Sequence, residues 1–288
     1  MRKSLPTCIP DILRAAFSQS TEPWFSGASR LMATVIWEEM ANEGFTPANY
    51  GTHRWLKKDP TTNRILFARL DLGNSFECLI ESLPRSSRAP YEEGGLVFSK
   101  CFSTDADLDV LQSALSLIAS VPSLYATVAQ YLRALHILES PGVDYDVSHS
   151  DPGVPFSIFA SVPLFERKGR LRLAESIIHE CMHLQLTMAE EVLPLVEAPE
   201  VRLFSPWRQT LRPVTGVLHG FYVFAVVHEF FRDLSLTGSL TSDESVFVSE
   251  RCRQIRDEAA QVGFLASAEG LTDNGRSLVR HLNRCLDL

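Results

Sequence analysis

The chain has 288 residues, of which 45% are hydrophobic and 22% charged. That balance belongs to a soluble globular protein with apolar material for a substantial core, in one large domain or two packed halves. With 27 basic against 35 acidic residues the formal net charge is −8, so no overall basic field invites nucleic acid or an anionic membrane.

After Met1-Arg2-Lys3 the chain meets Pro6, Pro10 and Asp11 rather than the long apolar run of a secretion signal. Six cysteines (Cys8, Cys78, Cys101, Cys181, Cys252 and Cys285) stand far apart with no CxxC among them. That usage is expected of reduced thiols in a cytoplasmic protein. Ile12, Leu13, Ala16 and Phe17 recur at helical spacing, and a longer helix is expected up to Gly44. Arg64–Leu70 and Ser75–Ile80 mix apolar residues with partial alternation, which predicts two strands joined through Asp71–Asn74.

Residues 104–139 read as helix broken at Pro122. The longest uncharged stretch, Val110 to Leu132, contains that proline and four serines, so it reads as a buried helical pair and not as a membrane span. Ser140–Gly142 and Ser148–Gly153 are turn-rich. Phe156–Val162 is predicted to be a strand ending at Pro163. A strong helical pattern follows from about 171 to 188, then an irregular stretch around Pro194 and Pro199. A second apolar helix spans about 216 to 234, and two amphipathic helices close the chain. The expected class is α+β and mostly α-helical, with the HExxH helix packed against a second metal-ligand helix and a small β-sheet. Residues 1–100 would form an N-terminal region packed on a catalytic region, residues 101–288.

The chemistry concentrates in His179-Glu180-Cys181-Met182-His183. Positions i and i+4 of a helix share a face, so His179 and His183 can hold one metal ion with Glu180 beside it. A working site needs a further ligand. Pro213 and Thr215 favour a helix start, which places His219 in a first turn. His228, nine residues on, faces the opposite way, so His219 is the candidate and His149 the reserve. Glu190 and Glu191 lie seven and eight residues past His183, too far along the helix to share its ion. Arg208 and Arg212 precede the second helix and form a candidate carboxylate site at its N-terminus.

These residues, taken in order, resemble the HExxH-motif proteins found with ribosomally made, post-translationally modified peptides. The resemblance rests on Ser157-Ile-Phe-Ala-Ser161, His179-Glu-Cys-Met-His183, Ser205-Pro-Trp-Arg208, Arg212-Pro213 and Gly216-Val-Leu-His-Gly220, and covers roughly residues 105–235. It implies an Fe(II)- and 2-oxoglutarate-dependent peptide β-hydroxylase with O₂ as co-substrate and a precursor peptide as partner. It further implies His179, His183 and His219 as iron ligands, and Arg212 or Arg208 as holder of the distal carboxylate of 2-oxoglutarate. The strand Phe156–Val162 would support an extended peptide by edge pairing.

Glu180, the candidate catalytic residue, fits this reading least well, because a hydroxylase needs no general base there; under it Glu180 would orient a ligand or contact the peptide instead. A zinc peptidase gives it that role, but the second helix offers His219 where a glutamate ligand would be expected, and Gln185–Ala189 lacks the compact HExxHxxGxxH continuation. A non-catalytic binding protein with a structural metal is the remaining alternative.

Overall fold

The computed structural model describes residues 8–42, 68–71, 77–81, 85–99, 105–142, 145–152, 156–163 and 168–288. It is an α+β protein dominated by helix, and its chain divides into two units: Ala33–Leu184, and Ser4–Met32 together with Gln185–Leu288.

In the first unit, β1 (Ala68–Asp71), β2 (Glu77–Glu81), β3 (Ala134–Leu138), β4 (Ser148–Ser150) and β5 (Ser157–Ser161) form a mixed sheet ordered β1-β2-β3-β5-β4. β2, β3 and β5 run parallel, and β1 and β4 are antiparallel edges. Three sequence expectations change here. Residues 134–138, expected to be helical, are a strand, because a parallel strand buried between two neighbours reads as an unbroken apolar run. Ser148–Ser150, expected to be a turn, is β4. β5 lies at its expected place but is an inner strand buried at all five positions, so it offers no edge to a peptide. The β1–β2 pair was foreseen; residues 64–67 and 72–76 lie outside the described residues.

Cross-strand register places His136, Phe159 and His149 in one row on one face of the sheet. Tyr91, from the unforeseen helix α3 (Arg85–Glu93), covers that row: its ring lies 4.9 Å from Phe159 and 5.9 Å from His149, and its hydroxyl donates to Asp151 at 2.9 Å. Helices α4 (Asp105–Ala119) and α5 (Pro122–Tyr131) are the expected pair broken at Pro122. Helix α6 (Gly169–Glu190) carries the HExxH segment and runs on past the boundary between the units.

The second unit is built on α1 (Ile9–Gln19), a β6–β7 hairpin (Arg202–Ser205 and Thr210–Pro213), and helices α7 (Val214–Leu236), α8 (Ser242–Ala260) and α9 (Asp273–Cys285). Helix α2 (Ser26–Asn42) begins here, as α1 and the start of α2 confirm the two expected N-terminal helices. The hairpin corrects the expectation of an irregular loop before α7. α7 is long and apolar enough to cross a membrane by length and composition alone, but 72% of its apolar window is buried in the protein, as in a core helix. α8 starts on a capping box, with the Thr241 hydroxyl accepting from Glu244 N–H while the Glu244 carboxylate accepts from Thr241 N–H. Cys8, Cys78, Cys181, Cys252 and Cys285 are free thiols.

Two adjacent residues of α7 carry opposed titrations. Burial, reinforced by Arg256 and Arg232, depresses His228 to about 4. Burial raises Glu229 to about 7 even though Arg232 pulls the other way. His228 therefore contributes stability above about 6.5 that is lost as pH falls through about 4. Glu229 contributes stability below about 4.5 that is lost as pH rises through about 7. The two slopes oppose each other between those limits. Urea titrations of Glu229→Gln should show stability rising with pH from about 4 to 6.5, and those of His228→Gln should show it falling from about 4.5 to 7. Equal pH profiles for the two variants would contradict this pairing.

Candidate metal-binding site

Helix α6 is buried nearly all round. Within the first unit, Arg172, Glu175, His179 and His183 form its partly accessible stripe, at the three- and four-residue steps that keep side chains on one face. The Nε2 atoms of His179 and His183 lie 3.2 Å apart, with ring planes at 69°. Two nitrogens bound to one ion at ~2.1 Å lie about 3.0 Å apart at a right angle and about 3.4 Å apart at a tetrahedral angle. The observed spacing falls between these values, so the pair fits two adjacent positions on one metal ion. The same spacing also suits a hydrogen bond from one neutral ring to the other. Among the described residues, no group of three or more His, Cys, Asp or Glu side chains is gathered around a common metal position.

Glu180 is engaged at both carboxylate oxygens. It is 5% exposed, and its two carboxylate oxygens accept one hydroxyl each, from Ser148 and Ser150, both at 2.6 Å. Short hydroxyl-to-carboxylate bonds are among the stronger hydrogen bonds, and here they offset the cost of burying a carboxylate. They also align two elements. Arg172 Nε donates to Asp146 at 2.7 Å, one level back along both strand and helix. From residue 146 to 150 an extended chain advances about 13 Å. From 172 to 180 the helix advances about 12 Å. The strand thus runs alongside α6 and reaches the level of His179 at Ser148 and Ser150. His149, the reserve ligand, points to the other face of the sheet, against Tyr91 and Phe159.

The remaining sequence candidates belong to the second unit. His219 lies in the second turn of α7 and not the first, because the helix begins at Val214. Its Nε2 meets Glu190 Oε2 at 2.9 Å. Metal ligation through that nitrogen would replace this contact, because a metal-bound imidazole nitrogen has no proton to donate. Arg208 sits in the hairpin turn and Arg212 on β7 opposite Leu203, both exposed. Arg212 Nε lies 3.9 Å from the place a Cβ would take at Gly216. At Gly220 a Cβ would come within 2.7 Å of the Trp207 indole. Trp207 stacks on Phe224 at 5.2 Å, and Arg251 lies over the far ring at 5.4 Å. The PWR and GVLHG segments are therefore halves of one contact, a hairpin clamped onto α7.

Gln185, two residues past His183 and fully buried, donates to Ser29 and accepts from Tyr222 OH and, at 3.4 Å, from Phe25 N–H. Sequence reasoning passed over it, as it did Ser148, Ser150 and the Glu190 contact. The Ser-x-Ser alternation was a strand signal; nothing local marks Gln185 or Glu190. The chain matches no protein-family model and no curated protein.

Removing both hydroxyls in a Ser148→Ala/Ser150→Ala variant strands the Glu180 carboxylate and should lower unfolding free energy by about 3 kcal/mol or more. Glu180→Gln can still accept from one serine and donate to the other, and should cost about 1 kcal/mol. Chemical denaturation measures both, and the reverse order would contradict the anchoring role.

Proposed function

We propose that the protein is an Fe(II)- and 2-oxoglutarate-dependent dioxygenase that hydroxylates the β-carbon of a residue in a ribosomally made precursor peptide. The observation that carries this reading is the separation of roles on α6. The two histidine nitrogens converge at a metal-compatible 3.2 Å, while Glu180 is occupied at both oxygens by serines. A peptidase asks that glutamate to take a proton from metal-bound water. A carboxylate committed to a strand is poorly placed for that task, which favours a reaction needing no base beside the metal.

In this reading His179 and His183 supply two ligands. The resemblance in motif order adds His219 as the third, with Arg212, or Arg208, as the guanidinium that pairs the distal carboxylate of 2-oxoglutarate. Iron with this cosubstrate supplies oxidative chemistry: one atom of O₂ enters the peptide C–H bond as hydroxyl, and the other enters succinate as CO₂ is lost. The chain's own part is to bind and orient. Glu180, through Ser148 and Ser150, holds the histidine helix against β4, and Trp207 on Gly220 holds the arginine-bearing hairpin against α7.

The test is an anaerobic titration of the Fe(II)-loaded protein with 2-oxoglutarate, followed by visible absorption. A saturable charge-transfer band is expected, retained in Glu180→Gln, with the half-saturating concentration raised about tenfold in Arg212→Ala. An unchanged affinity in that variant moves the role to Arg208. Bound iron without any band overturns the reading and returns the zinc peptidase.

A further inference from the structure

The phase of the β4–β5 ladder decides which backbone groups of β4 face outward. Ser161 N–H donates to Val147 C=O at 2.8 Å, and Val147 N–H donates to the Ser161 hydroxyl at 3.0 Å. Val147 and Ser161 are therefore a bonded pair. Antiparallel pairs alternate between bonded and non-bonded, and the register continues Ser148↔Ala160, His149↔Phe159, Ser150↔Ile158. His149 is thus the next bonded residue, and the N–H and C=O groups of Ser148 and Ser150 point away from β5. Among the described residues no strand pairs with that side of β4. The side chains of the same two serines hold Glu180, which puts these outward groups at the level of His179.

We propose that the outer edge of β4 is the docking rail of the peptide substrate, an extended segment of which adds as a further strand by pairing with the backbone of Ser148 and Ser150. This rests on the peptide-hydroxylase reading and assigns its substrate a place. Strand addition suits a substrate that must lie extended past a metal helix, since its affinity comes from main-chain bonds and tolerates side-chain variety. It also fits the shortness of β4, whose two outward residues bond a partner at two alternate positions. The residue between those positions projects its side chain off the added strand's opposite face.

The test uses the full chain and a set of capped decapeptides of alternating threonine and valine, with one central residue varied. Wild-type protein and Ser148→Ala keep the outward N–H and should bind members of the set with affinities within about threefold of each other. Ser148→Pro removes that N–H without breaking the ladder to β5 and should bind about tenfold more weakly than Ser148→Ala. Deuterium exchange should show Ser148 and Ser150 amides protected by the peptide. Should the proline variant not fold, N-methylation scanning of the peptide against wild-type protein replaces it, with losses expected at alternate positions. Equal binding by the alanine and proline variants, uniform tolerance of N-methylation, or no binding at about 1 mM peptide overturns the rail. A charge-transfer band without edge pairing overturns the rail alone. Edge pairing without a band overturns the hydroxylase alone.

Discussion

The buried carboxylate of Glu180 is the constraint on which the candidate site depends. A carboxylate that is 5% exposed must have its oxygens satisfied. Here, among the described residues, they accept from two hydroxyls that stand two residues apart on an edge strand. Meeting that demand fixes which face of β4 turns toward α6 and leaves His179 and His183 on the accessible stripe. It also engages both oxygens of the glutamate that the HExxH pattern most often marks as a base.

The second unit shows a related logic in apolar form. Gly220 lets the Trp207 indole lie directly on α7, and the stack Arg251–Phe224–Trp207 closes over it. The hairpin is a short two-stranded ribbon, an element that is marginal unless packed against a helix, and its indole supplies that packing. Within the same unit Gln185 joins Ser29, Tyr222 and Phe25 N–H. A fully buried amide with its oxygen and nitrogen both engaged specifies one arrangement of three segments more sharply than an apolar side chain of the same size.

Helices were legible where periodicity is strong: α1, α4 to α9 and the break at Pro122 follow from apolar spacing and proline. β3 was hidden because Ala134-Leu-His-Ile-Leu138, buried between two parallel strands, lacks the alternation that betrays a half-buried strand. The β6–β7 hairpin was hidden because its outward face displays Phe204 and Leu211, 45% and 57% exposed, so polar alternation fails there too. Of the site, the two helix histidines were readable because an i, i+4 spacing is local. Glu190 against His219, 29 residues apart, and Ser148 and Ser150 against Glu180, 32 and 30 residues apart, are tertiary facts that no local pattern encodes. The partners of Glu180 were therefore the least legible part of the candidate site.

The central claim is that His179 and His183 are joint ligands of one iron while Glu180 is not. Iron K-edge X-ray absorption of the Fe(II)-loaded protein tests it most directly. The account predicts outer-shell scattering from at least two imidazoles with Fe–N near ~2.1 Å, reduced by one ring in His183→Ala and unchanged in Glu180→Gln. A spectrum of oxygen donors without imidazole scattering, or one altered by Glu180→Gln and not by His183→Ala, would contradict it.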